Sequence, residues 1–151
     1  MKDILHILEK EARTSPQQLA TMLGRPLAEV EAAIKKAEAE GIIVKYKAVI
    51  NWNKAEEEQV WALIEVKVSP QRGVGFDGVA ERIYRFPQVR SLYLVSGTYD
   101  LAVMVMGRTM QEVASFVAER LAPLEGVQGT VTHFLLKKFK EDGEILEGGE
   151  G

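Results

Sequence analysis

Two groups of residues hold most of the chemistry this sequence can offer. The first is a set of cations, Arg25, Lys35, Lys36, Lys45 and Lys47. Cations placed along a helix and the strand after it suit phosphate oxygens, so these five are candidate contacts to double-stranded DNA. The second is the run Gly97-Thr98-Tyr99-Asp100-Leu101. It sets a carboxylate and a hydroxyl beside the backbone N–H groups of a glycine turn, so a cationic and an anionic group of one small molecule can be held together. Each group also has a plainer reading. Lys35 and Lys36 are spaced to pair with Glu31, Glu38 and Glu40 on a solvated helix face. Gly-Thr-Tyr-Asp is also a good hairpin turn.

Other chemistry is poorly represented. The chain has no cysteine, which excludes thiol catalysis, disulfides and thiolate metal sites. Its two histidines, His6 and His133, are far apart with no metal-ligand cluster near either. No nucleophile–base pair, phosphate loop or paired-carboxylate pattern is visible, so neither an enzyme nor a cofactor is expected. The start, Met1-Lys2-Asp3-Ile4, is not a secretory signal, and no apolar run reaches membrane-spanning length. The expected location is the cytoplasm. A net charge of −3 argues against a general nucleic-acid coat. Residues 1–52 carry eight Lys/Arg against seven Asp/Glu, and residues 53–151 carry eleven against fifteen, so the basic excess of the first part is slight.

The basic residues must be positioned by the first third of the chain. Ile4, Leu5, Leu8 and Ala12 share one face of a first helix. Ser15-Pro16-Gln17-Gln18 opens a second as N-cap, first helical position and capping box. Leu19, Ala20 and Leu23 face inward, and Gly24 stops it. A third helix starts at Pro26, turns Leu27, Val30, Ile34 and Ala37 inward, and ends at Gly41. Ile42 to Ile50 alternates and is β-branched, which predicts a strand. Helix, helix, turn, helix, strand is the winged form of helix-turn-helix.

The glycine turn falls within a different pattern. Val60–Val68 reads as a strand that Pro70, Gly73 and Gly75 break. Phe76, Val79, Ala80 and Ile83 mark a helix ending before Pro87. Strands at Val89–Val95 and Leu101–Met106 flank the turn. Thr109 and Glu112 form a capping box for a helix through Val113, Phe116, Val117 and Leu121, and a last strand covers Val131–Phe139. The order βαββαβ is ferredoxin-like. The fold class is therefore α+β, with a winged helix-turn-helix at 1–52, a connector at 53–59, a ferredoxin-like domain at 60–142 and a flexible acidic tail at 143–151. In such a domain both helices cover one sheet face. Leu92–Val95 and Leu101–Met106 are apolar on both faces, so the second face needs a cover. The same face of a second copy supplies one, in a two-fold dimer; the head folding back is the alternative. A dimer would set two heads against half-sites about one helical turn apart.

At this point the chain resembles the Lrp/AsnC, or feast-famine, transcription regulators over roughly residues 3–140. The resemblance rests on Asp3-Ile4-Leu5, Leu19-Ala20, Gly24, Glu38-Ala39-Glu40-Gly41-Ile42-Ile43 with Tyr46, and Ser96-Gly97-Thr98-Tyr99-Asp100-Leu101. It implies a homodimer that assembles further into tetramers or octamers. It also implies control by an amino acid or related metabolite bound between dimers. On that reading Asp100 takes the ligand's ammonium and the glycine turn its carboxylate. Thr130 and Thr132 lie on the strand bordering the same cleft. Two departures stand out: Pro26 replaces a common Ser, and Ala33 replaces a usual Arg. With Glu29 and Glu31 exposed near the helix start, phosphate is repelled, although glutamate can accept from cytosine N4; either DNA binding is weak and leans on the avidity of the oligomer, or this chain reads an unusual site. Two other functions remain open on this architecture. One is a ligand-binding assembly protein with little DNA binding. The other is a sirohaem decarboxylase-like subunit, disfavoured because no His- or Arg-dense segment is present.

Overall fold

A computed structural model of the chain describes residues 1–69 and 75–147. It divides into two compact units, one ending at Val49 and the other beginning at Ile50. Among the described residues every buried side chain is apolar.

In the first unit α1 (Lys2–Lys10), α2 (Pro16–Leu23) and α3 (Leu27–Ala39) pack around Ile4, Leu8, Leu19 and Val30. The expected capping box opens α2. Ser15 Oγ accepts from the Gln18 N–H at 3.1 Å, and Gln18 Oε1 accepts from the Ser15 N–H at 2.9 Å. These bonds satisfy two backbone donors that a helix start otherwise leaves unpaired. Gly24 closes α2 at φ +63°, the left-handed region in which a side chain costs about 1–2 kcal/mol. The chain there turns directly into α3. Ala33 and Ile34 pack on the same core, and Ala37 is fully buried. Leu27, expected inward, is 39% exposed. At 100° per residue it stands roughly 70° from the middle of the Val30–Ala37 stripe.

The strand expected over Ile42–Ile50 is not formed. The chain bends at Ile42 and Ile43, the segment has no ladder partner among the described residues, and Val44 is 89% exposed. Alternating β-branched residues supply the propensity, but a strand also needs a neighbour to bond to.

The second unit holds β1 (Val60–Val68), α4 (Gly75–Tyr84), β2 (Val89–Leu94), β3 (Leu101–Gly107), α5 (Met110–Phe116) and β4 (Val127–Phe134). A single π-helical turn, Val117–Leu121, extends α5 and buries Leu121. The sheet order β2-β3-β1-β4 is the one expected of a βαββαβ unit. Pro70 and Gly73, read as breakers after β1, lie outside the described residues. Register places Ala62, Ile64 and Val66 opposite Val105, Val103 and Leu101 on the inner face, where Val79, Ile83, Val113 and Phe116 pack over them. Thr109 caps α5 as expected, accepting from the Glu112 N–H at 3.0 Å. The Glu112 carboxylate takes the Arg108 N–H at 3.1 Å. Gly126 leads into β4 at φ +95°, where an added Cβ would come within 2.7 Å of Val79 Cγ2.

Two expectations about the C-terminal part need correcting. The last strand runs Val127–Phe134, not Val131–Phe139, because β1 offers no pairing beyond the bond from the Leu135 N–H to the Trp61 carbonyl. Part of the tail expected to be flexible from residue 143 is also ordered. Lys140–Glu141 (β5) pairs with Glu144–Ile145 (β6) across Asp142-Gly143, both at positive φ. Asn51 Nδ2 donates to the Leu146 carbonyl at 3.1 Å, and Lys137 pairs with Glu147 at 2.8 Å. Residues 148–151 of that tail lie outside the described residues.

The sheet's outer face carries Trp61, Leu63, Glu65 and Lys67 from β1 and Ala102, Met104 and Met106 from β3. Tyr93 comes from β2, with Val131 and His133 from β4. It is mainly apolar, as expected, but Glu65 and His133 meet on it.

Candidate functional site

The turn between α2 and α3 presents α3 with Ala28, Glu29, Glu31, Ala32, Lys35 and Lys36 exposed. Lys35 and Lys36 form no ion pair among the described residues, so the expected partners Glu31, Glu38 and Glu40 do not claim them. Arg25 is placed differently from the other candidates. Its guanidinium bonds both Asp3 carboxylate oxygens at 3.0 Å and Glu29 Oε1 at 2.6 Å. Hydrogen bonding to Glu29, then to Asp3, holds its pKa above the usual arginine value. Arg25 thus clasps the start of α1 to the start of α3, and it neutralises one of the two acids that made that helix look hostile to phosphate. Ala33 packs against the head core, so a longer side chain there would have to leave it. Lys45 and Lys47 lie on the irregular segment after α3.

Sequence reasoning missed a second polar surface on the same unit. Glu11, Arg13, Thr14, Gln17, Gln18 and Thr21 line an open groove at the end of α1 and along α2. The signal was available: Gln17 and Thr21 are one helical turn apart on the face opposite Leu19.

In the second unit, the tight turn expected at Gly97 is a longer loop, residues 95–100, closed by the Val95 N–H on the Asp100 carbonyl at 2.9 Å. Gly97 and Thr98 are exposed, Tyr99 and Asp100 half-buried, and Leu101 buried. Asp100 is tied down at several points. Its N–H donates to the Val66 carbonyl at 3.1 Å, and its Oδ2 accepts from the Val68 N–H at 2.8 Å. That second bond falls where the β1–β4 register shifts, at Lys67/Val68. One carboxylate oxygen thus ties the loop to β1. Thr130 pairs in register with Val66 and Thr132 with Ile64, both on the inner face and half-buried. The loop, Asp100 and Thr130 thus meet at one end of the sheet, with β1 between them, and Thr132 lies one row further in.

A groove of about 390 Å³ lies nearby between α4 and β2, lined by Phe76, Asp77, Ala80, Tyr84 and Leu94. Of the candidate residues only Leu101 reaches it. It lies beside an edge strand and is of mixed polarity, since Arg90 and Ser91 line it together with Asp77. Among the described residues no group of three acids or histidines can hold a metal, and no helix is long and apolar enough to cross a membrane.

The same two-part arrangement recurs in known proteins. Residues 61–145 match the family described as the Lrp/AsnC ligand binding domain, and residues 1–44 match the winged helix-turn-helix DNA-binding family. The HTH-type transcriptional regulator YugG of Bacillus subtilis is 50% identical over 149 residues, covering 98% of this chain and 90% of that protein. A transcriptional regulator of Neisseria meningitidis, solved as a complex with L-methionine, superposes with a TM-score of 0.74 at 22% identity over 95% of this chain and 92% of that one. The leucine response regulatory protein LrpA of Mycobacterium tuberculosis gives 0.77 at 20% identity, covering 97% of both. At those identities the two structures speak for the fold alone. The chain belongs to the Lrp/AsnC family of transcriptional regulators, with a helix-turn-helix head and a ligand-binding domain.

Proposed function

We propose that this regulator binds double-stranded DNA as a homodimer or a larger assembly of dimers in the cytoplasm, without enzymatic activity, and that an amino acid controls its assembly or its DNA binding. The observation that carries the effector half is the Asp100 carboxylate, with one oxygen bonded to Val68 and the other without a partner among the described residues, beside an exposed glycine loop. Oδ1 of Asp100 receives the ligand's ammonium, backbone N–H groups at Gly97 and Thr98 its carboxylate, and Tyr99, Leu101, Thr130 and Thr132 complete the surroundings. The regulator of Neisseria meningitidis crystallised with L-methionine supports an amino acid as the ligand class.

On the DNA side, Lys35 and Lys36 on α3, with Lys45 and Lys47 beyond it, meet phosphate, and Arg25 sets the angle of α3 instead of touching DNA. Tyr93 and Val131, 58% and 53% exposed on the outer sheet face, support a second copy as its cover. The use of Arg25 inside the head favours a second reading, an assembly and ligand-sensing protein with little DNA binding of its own.

A thermal-shift screen against amino acids and their keto acids tests the effector claim, because a ligand stabilises the state it binds. One amino acid should raise the melting temperature of the wild-type protein. Asp100→Asn should keep the bond to the Val68 N–H and the fold but lose that shift. A full shift in Asp100→Asn would remove Asp100 from the site.

A further inference from the structure

On the outer sheet face Glu65 of β1 and His133 of β4 are in direct hydrogen-bond contact through Oε2 and Nε2. Their surroundings are apolar. Leu63 stands beside His133 in the register, Ala102 and Val131 flank Glu65, and Met104 lies beyond Leu63. The side chains are 27% and 49% exposed respectively. We propose that this pair couples association of the chain with a second copy, through the outer sheet face, to pH: covering the face favours proton uptake by His133. The proposal rests on the sheet-face dimer described above.

The other charged and titratable groups on this face stand apart from the pair. On β1, Lys67 is exposed one row further along. From β3 come only Ala102, Met104 and Met106, and β2 adds Tyr93 and Arg90. The Arg90 guanidinium lies 5.3 Å from the centre of the Trp61 ring, and Lys138, after β4, lies 3.6 Å from it. These two cations are engaged at the Trp61 end. Among the described residues His133 alone bonds the Glu65 side chain.

A second copy on this face withdraws both protomers' pairs from water. With a neutral imidazole, each protomer carries a carboxylate without a counter-charge into the interface, which is costly. With an imidazolium, each pair is neutral. Association therefore takes up protons, at most two per dimer, which limits the change in affinity to about a hundredfold per pH unit. Imidazole is the side chain that ordinarily changes charge between about pH 5 and 8. Association is therefore tighter at low pH and weakens as pH rises and the associated pairs lose their protons.

The test is the dimer dissociation constant of the full chain at pH 6, 7 and 8, by sedimentation with fluorescence detection from nanomolar to micromolar protein. The wild type should bind at least tenfold more tightly at pH 6 than at pH 8. His133→Gln and Glu65→Gln should each reduce that ratio below twofold, with folding verified by circular dichroism. A dimer whose affinity is flat across this range overturns the inference and leaves the sheet-face dimer standing. So does a slope that persists in both variants, or one that is lost in His6→Gln. A monomer at every pH overturns both.

Discussion

The two units of this chain are built on very different scales. The head closes around four buried residues, Ile4, Leu8, Leu19 and Val30, and its geometry depends on caps and clasps: the Ser15 box, the Gly24 turn, and Arg25 between Asp3 and Glu29. Among the described residues the second unit has a core of thirteen buried side chains running from Ala62 to Leu121, with a four-stranded sheet as its frame. A small core leaves a domain close to the limit of independent stability. The head's geometry thus depends on caps and clasps at its surface, whereas the loop at residues 95–100 is held by a frame that can absorb such losses.

Variants that break this contrast differ in size. Ile64→Ala, in the fully buried centre of β1, should cost about 3–5 kcal/mol and shift the chemical denaturation midpoint of the whole sheet unit. A loss under 1 kcal/mol would mean that the core is not where the structure puts it. Leu19→Ala should cost about 3 kcal/mol, a larger share of the head's total. Amide exchange should then show residues 2–39 opening while β1 and β3 stay protected. Equal loss of protection in both would show the two units to be one cooperative block. Ser15→Ala should cost about 1 kcal/mol by leaving a helix donor unpaired, and Ser15→Asp should restore most of it.

The smallest effect is acid sensitivity at Asp3. A hydrogen bond from the N-terminal ammonium, followed by the Ile4 N–H and Arg25, holds its carboxyl below the usual range. A depressed pKa contributes stability above the ordinary carboxylate pKa and loses it as pH falls through the folded value. Asp3→Asn should therefore lower the head's stability slightly at pH 7 and flatten the acid limb of its unfolding profile, which meets that of the wild type at low pH. An unaltered acid limb would mean that the clasp plays no part in it.

Much of this architecture could be read from local signals. Ser15, Pro16 and Gln18 act within one turn of helix, and the period-two run from Val60 to Val68 decides its own strand. Features that depend on distant partners were harder to read. Ile42–Ile50 has strand chemistry but no neighbour. Arg25 reads as a DNA contact until Asp3, 22 residues away, is brought to it. Glu65 and His133 are separated by 68 residues and joined only by the β1–β4 register. The C-terminal hairpin is a different case. Asp142-Gly143 is a local turn signal that an acidic, glycine-rich composition concealed. In the candidate site, the residue types were legible at Gly97–Asp100, but the commitment of Asp100 Oδ2 to Val68 depends on the register shift in β1.

On the proposed function, the lightly built head gains its hold on DNA from the assembly of the sheet units. The most direct measurement is fluorescence anisotropy of a duplex from the regulator's own upstream region, titrated between 50 and 200 mM salt. The proteins compared are the wild type, Lys35→Ala/Lys36→Ala, and Met104→Glu, which sets a charge in the outer sheet face. The account predicts wild-type binding that weakens steeply with salt, roughly tenfold weaker binding in the lysine variant, and about a hundredfold weaker binding in Met104→Glu with its head still folded. Wild-type affinity retained in Met104→Glu, or no salt-dependent binding by the wild type, would contradict it.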